Sequence, residues 1–227
     1  MYRNKNEWNM DIAEGQLRQR AEKLFWQMSG FSEGNPASEF QKEDIYRIQK
    51  ELQKQLEIKA RVCPVEKYAF GEKAMYLQEC EIFYDLPLAS YSDAITGVYT
   101  FIVSEKTLVT EDQGNLDQLL FHIWQNAYLD AAREWMKEWL AQETKTFVSS
   151  CIAPGFYGID LDEIATLFKL VDGGQIGVQI REDGFLLPEK SVIGIYLTLR
   201  QDINIFGKRC KSCLARGKNC EFCMDKL

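Results

Sequence analysis

The sequence predicts an α+β chain, and two observations carry that reading. Helical and strand-like patterns come in blocks: helices first, then strands, one long helix, and finally a short helix with more strands. Residues 97–103, Gly-Val-Tyr-Thr-Phe-Ile-Val, are rich in β-branched and aromatic residues, as a strand buried on both faces would be. The domain reading is a helical region over 1–60, an α+β domain over 61–207 and a Cys-rich tail over 208–227.

Composition bounds the function. The 227 residues are 46% hydrophobic and 12% aromatic, enough to build a sizeable core. The formal net charge is -7, and no basic stripe is present. A nucleic-acid partner is therefore not expected, because such affinity rests on Lys and Arg neutralising phosphates. The N-terminus, Met-Tyr-Arg-Asn-Lys-Asn-Glu-Trp, has no apolar region of the secretory type. No apolar run approaches the roughly 18–20 residues of a membrane span. A soluble, cytoplasmic protein is the expectation.

In chain order, Ile12, Leu17, Ala21, Leu24 and Phe25 mark a first amphipathic helix, ended by Ser29-Gly30. Ile45, Ile48, Leu52, Leu56 and Ile58 predict a second helix from Glu43 to about Ala60, with a solvated face of mixed charge. From Arg61 the period becomes strand-like, through Val62, Cys63, Val65 and Tyr68, then Glu81–Tyr84, then the run at 97–103. Ser90–Ile95 fits a short helix just before that run. Asn115 to about Thr144 is the longest helix, with Leu116, Leu119, Leu120, Ile123, Ala127, Ala131, Trp135 and Leu140 as its apolar stripe. It carries His122, the sole histidine of the chain. A Ser-His-Asp or Cys-His catalytic site would have to pass through His122, and no nucleophile elbow stands near Ser149 or Ser150.

Next comes a Pro-Gly turn at Pro154-Gly155. Leu161, Ile164, Leu167, Phe168 and Val171 follow at helical spacing, with Asp160 and Glu163 read as a capping box and Gly173-Gly174 as the stop. Ile176–Ile180 and Val192–Leu199 read as strands.

The tail holds the strongest single chemical signal. Cys210, Cys213, Cys220 and Cys223 form a C-x2-C-x6-C-x2-C pattern. Each C-x-x-C can grip one metal through two thiolates, and four thiolates suit zinc or an iron–sulfur cluster. The spacing does not choose between them, and disulfides formed on oxidation compete. Nearby Lys208, Arg209, Lys211, Arg216 and Lys218 would favour the thiolate state.

The block from Cys151 to Leu199 resembles the activation domain of cobalamin-dependent methionine synthase, in its short free-standing form. The resemblance rests on Pro154-Gly155-Phe156 with Tyr157-Gly158, on Leu167-Phe168 with Leu170 and Asp172, on Ile176-Gly177-Val178, and on Pro188 to Tyr196 with Ser191-Val192 and Gly194. It implies a twisted, largely antiparallel sheet with packed helices, and binding of S-adenosylmethionine (SAM) in support of reductive methylation of cobalamin. No D-x-H-x-x-G cobalamin motif is present, so the resemblance implies a corrinoid protein or cobalamin-binding methyltransferase as partner, with a reductase as a possible third component.

Carried over by position, Asp130 would pair with the SAM ammonium. Main-chain groups at Ala153, Pro154, Gly155 and Phe156 would meet the ligand, and Tyr196 or Tyr157 would stack on adenine. Cys151 stands where the family has an arginine suited to a carboxylate, and a thiol cannot replace that fork. Arg181 and Arg200 are the candidates to supply the missing charge. The alternatives are a degenerate, non-catalytic interaction module with a structural metal clip, or an iron–sulfur electron donor to a corrinoid protein.

Overall fold

The structure is a computed structural model that describes residues 7–30, 36–107 and 114–205, with side chains omitted for 36–40. The four tail cysteines therefore lie outside the described residues. The chain opens with strand β1, Trp8–Asp11, then helices α1, Glu14–Met28, and α2, Pro36–Gln53. Strands β2, Glu57–Pro64, β3, Tyr68–Phe70, β4, Ala74–Leu77, and β5, Cys80–Phe83, follow. A short 3-10 turn, Leu88–Ala94, leads into β6, Ile95–Lys106, and then into α3, Asn115–Thr144. The last elements are β7, Phe147–Val148, α4, Glu163–Val171, β8, Gln179–Ile180, β9, Leu186–Leu187, and β10, Ser191–Leu199.

The main sheet has the order β1-β2-β6-β10-β7, and every neighbouring pair is antiparallel. The α+β expectation holds. The sheet's two faces bury separate cores because side chains alternate along each strand. Phe101 and Val103 of β6 and Tyr196 of β10 face α1, α2 and α3. Ile102 of β6 and Ile193, Ile195 and Leu197 of β10 face α4 and the small β3-β4-β5 sheet. Among the described residues, no helix is long and apolar enough to cross a membrane.

Four local readings change. The N-terminal 60 residues are not all helical: β1 pairs with β2, Trp8 opposite Val62. Helix α2 ends at Gln53, and residues 57–60 are already strand. Ile58, Ala60 and Val62 alternate inward with a period of two, and that pattern wins over the longer helical one. Asp160 does not cap α4. Asp162 occupies the N-cap position, and the Asp160 carboxylate accepts from the backbone N–H of Asp162 at 3.0 Å, a local turn. Of the expected strand Ile176–Ile180 only Gln179–Ile180 forms, because Asp172 ends α4 in the left-handed region at φ 50° and Gly173–Ile176 make a 3-10 turn.

Candidate functional site: a cleft between α3, the Pro-Gly turn and the head of β10

The site begins with how the chain leaves α3. Lys145 ends that helix with φ 54°, and the chain then runs back along β10. Ser149 is tied to Leu197 twice: its N–H donates to the Leu197 carbonyl at 2.9 Å, and its hydroxyl accepts from the Leu197 N–H at 3.0 Å. Ile152 and Ile195 then exchange both backbone hydrogen bonds, at 3.0 and 2.7 Å. With that segment pinned, the turn closes tightly. The Phe156 N–H donates to Ala153, and the Gly155 N–H donates to Ile159 at 2.9 Å. Gly155 sits at φ +84°, which suits a residue without Cβ.

Between this turn, α3 and the head of β10 lies a cleft of about 620 Å³. That is within the range of small-molecule sites, roughly 300–1,000 Å³. Helix α3 gives it Asp130 and Arg133. The turn gives Ala153, Pro154 and Phe156, and α4 gives Ile164. The β8–β9 hairpin gives Arg181, Asp183, Phe185 and Leu186; beyond it come Glu189 and then Ser191, Val192 and Ile193 of β10. The walls are mostly apolar, with both signs of charge placed among them.

The charges are paired at different depths. Arg133 is 7% exposed, and its Nε lies 3.3 Å from Oδ1 of Asp130. Three residues apart on a helix, the two share one face. Arg181, with a half-exposed side chain, pairs with Asp183 at 2.6 Å on the rim. A larger hollow of about 710 Å³ runs along α2, but only residues between 42 and 54, from that helix and the turn directly after it, line it, so no groups converge there.

The expected site residues divide. Asp130, Ala153, Pro154 and Phe156 come together in the cleft. Tyr196 does not line it. The ring is buried, stacked on Phe101 with centroids 4.4 Å apart, and its hydroxyl donates to the Arg133 carbonyl at 2.8 Å. Burial pushes that hydroxyl's pKa well above the usual 10. Tyr196 is thus a core residue and no platform for adenine. Gly155 has spent its N–H on Ile159, and its open side meets Leu161. Tyr157 packs against the second core instead of the cleft.

Cys151 is buried and belongs to the helix-side core, its sulfur close to Gly194. Of the two arginines considered as substitutes for the missing charge, Arg181 lines the cleft and Arg200 does not. Arg133 is the residue the sequence reading passed over, although its spacing from Asp130 put it on the same helical face. His122 is engaged with Gln125 at 3.1 Å, elsewhere on α3. Among the described residues no group of His, Cys, Asp or Glu could hold a metal ion.

No family model matches the chain, and no curated protein matches it. A solved structure does. The crystal structure of the MetH reactivation domain bound to AdoHcy is similar over 88% of this chain and 80% of that one, with a TM-score of 0.65. The chain has the fold of the MetH reactivation domain. Identity is 14%, so the likeness is one of architecture. The MetH reactivation domain was solved with S-adenosylhomocysteine (AdoHcy), which is what remains of SAM once its methyl group has left.

Proposed function

We propose that this protein binds SAM in the cleft beside the Pro-Gly turn and supports reductive methylation of a corrinoid carried by a separate protein. The observation that carries the reading is Asp130, which lines a cleft of small-molecule size opposite Ala153, Pro154 and Phe156, on a fold solved elsewhere with AdoHcy. Its carboxylate suits the SAM ammonium, and the apolar walls suit the adenosyl group. In this scheme SAM supplies the methyl group, a separate reductant supplies an electron, and the cobalamin is the acceptor. This chain binds and orients the donor.

The test is transfer of labelled methyl from SAM to a purified corrinoid protein under a low-potential reductant. Label should appear on the corrinoid only when this chain is present, and should fall with Asp130→Ala. Equal transfer with and without the chain would overturn the proposal.

One observation favours a second reading, an interaction module without SAM. Cys151, where the resemblance expects a ligand-binding arginine, is built into the core. In that case the chain would bind the corrinoid protein equally well with and without SAM.

A further inference from the structure

The Asp130–Arg133 pair is unusual in its setting. Buried ion pairs contribute little to stability, because both charges lose their water. Here the Arg133 and Asp130 side chains are 9% and 15% exposed, and both border the cleft. A pair placed there is better matched to a ligand that carries both charges. An α-amino acid does so, with an ammonium and a carboxylate on one carbon.

We infer that the Asp130–Arg133 pair receives the α-amino-acid end of the ligand, and that Arg133 holds its carboxylate. This rests on the SAM reading above and adds the residue that reads the carboxylate. Two observations, its burial and its fixed backbone, support Arg133 over Arg181, the other cation in the cleft. Its side chain is nearly buried, whereas that of Arg181 is half exposed on the rim, so water screens Arg181 more strongly. As in any arginine, its planar fork offers two parallel donors to a carboxylate. Its backbone is fixed, because the buried Tyr196 hydroxyl donates to the Arg133 carbonyl at 2.8 Å and ties this point of α3 to β10. Asp130, one turn earlier on the same face, is left for the ammonium.

The test compares SAM with decarboxylated SAM, which keeps the adenosyl, sulfonium and ammonium groups but lacks the carboxylate. Both are titrated calorimetrically into the full chain, Arg133→Met and Arg133→Lys, with thermal unfolding as a check of folding. The expected result is that Arg133→Met weakens SAM by about 10- to 100-fold and leaves decarboxylated SAM within about twofold of its wild-type affinity. Arg133→Lys, which keeps the charge and loses the fork, should fall between. Should Arg133→Met not fold, the lysine variant carries the test, again with loss confined to SAM. Equal loss for both ligands, or for neither, would overturn the role of Arg133 while leaving SAM binding intact. A wild-type chain that binds neither ligand would instead overturn the SAM reading and this one together.

Discussion

A Cβ on Gly194 would lie 2.7 Å from the carbonyl oxygen of Ile152. The missing side chain is what lets the 149–153 segment lie flat on β10 and carry the Pro-Gly turn to the cleft. Phe101 and the Cys151 sulfur crowd the same point, at 3.0 and 3.1 Å. Gly194→Ala should therefore destabilise the fold by about 1–3 kcal/mol and weaken SAM as the turn shifts. Denaturant unfolding and SAM titration check both effects. An unchanged midpoint would mean that the segment does not need this close approach.

Cys151 packs in the core behind the turn, so its sulfur should matter to stability and not to the ligand. Cys151→Ala should cost about 1 kcal/mol of stability for the small void it leaves and keep SAM affinity within about twofold. Loss of binding in a fully folded variant would return Cys151 to the site.

Glu105 makes stability depend on pH. Its carboxyl is buried on the α3 side of β6, and one oxygen accepts from the Gln125 amide at 3.1 Å. Burial raises its pKa from 4.5 to about 7, against smaller opposing effects of the Gln125 hydrogen bond and of Lys190. A raised carboxyl pKa means that the folded state holds the proton more tightly than the unfolded one. This contribution is thus fully present below about pH 4.5 and is lost as pH rises through about 7. The loss is on the order of 3 kcal/mol. Glu105→Gln should flatten that part of the stability profile and raise stability at pH 8 relative to wild type. Parallel profiles for the two proteins would contradict the assignment.

Arg61 joins three elements through one guanidinium. It donates to the Val171 carbonyl at the end of α4 at 2.6 Å, to Asn9 at 2.8 Å and to Glu7 at 2.7 Å. Arg61→Met should lower stability by about 3 kcal/mol, and lysine should not restore it, since one ammonium cannot reproduce the fork. Thermal unfolding of the three proteins decides this.

Much of the architecture was legible because long apolar patterns are hard to mistake. The stripe from Leu116 to Leu140 predicted α3 with the bounds found, Asn115–Thr144, and the β-branched runs at 97–103 and 192–199 fall within β6 and β10. The misses are short or joined to stronger patterns. Strand β1 has four residues, of which Trp8 and Met10 are only partly buried and Asn9 and Asp11 are exposed, so it exists through its pairing with β2. The start of β2 reads as part of α2 because Leu56 continues the four-residue spacing of Ile48 and Leu52, with apolar Ile58 just beyond.

At the site, Asp130 and the Pro-Gly turn were readable by position. The burial of Tyr196 was not, since an inward and an outward tyrosine look alike until the register of β10 against β6 is known, with Tyr196 opposite Tyr99. Arg133 was readable in principle from its spacing to Asp130, but its place in the cleft depends on how α3 rolls against β10.

The most direct measurement is calorimetric titration of SAM into the wild-type chain and Asp130→Ala. The account predicts saturable one-site binding to the wild type, weakened by about 10-fold or more in the folded variant. The absence of heat and of any thermal shift at saturating SAM in the wild-type protein would contradict it.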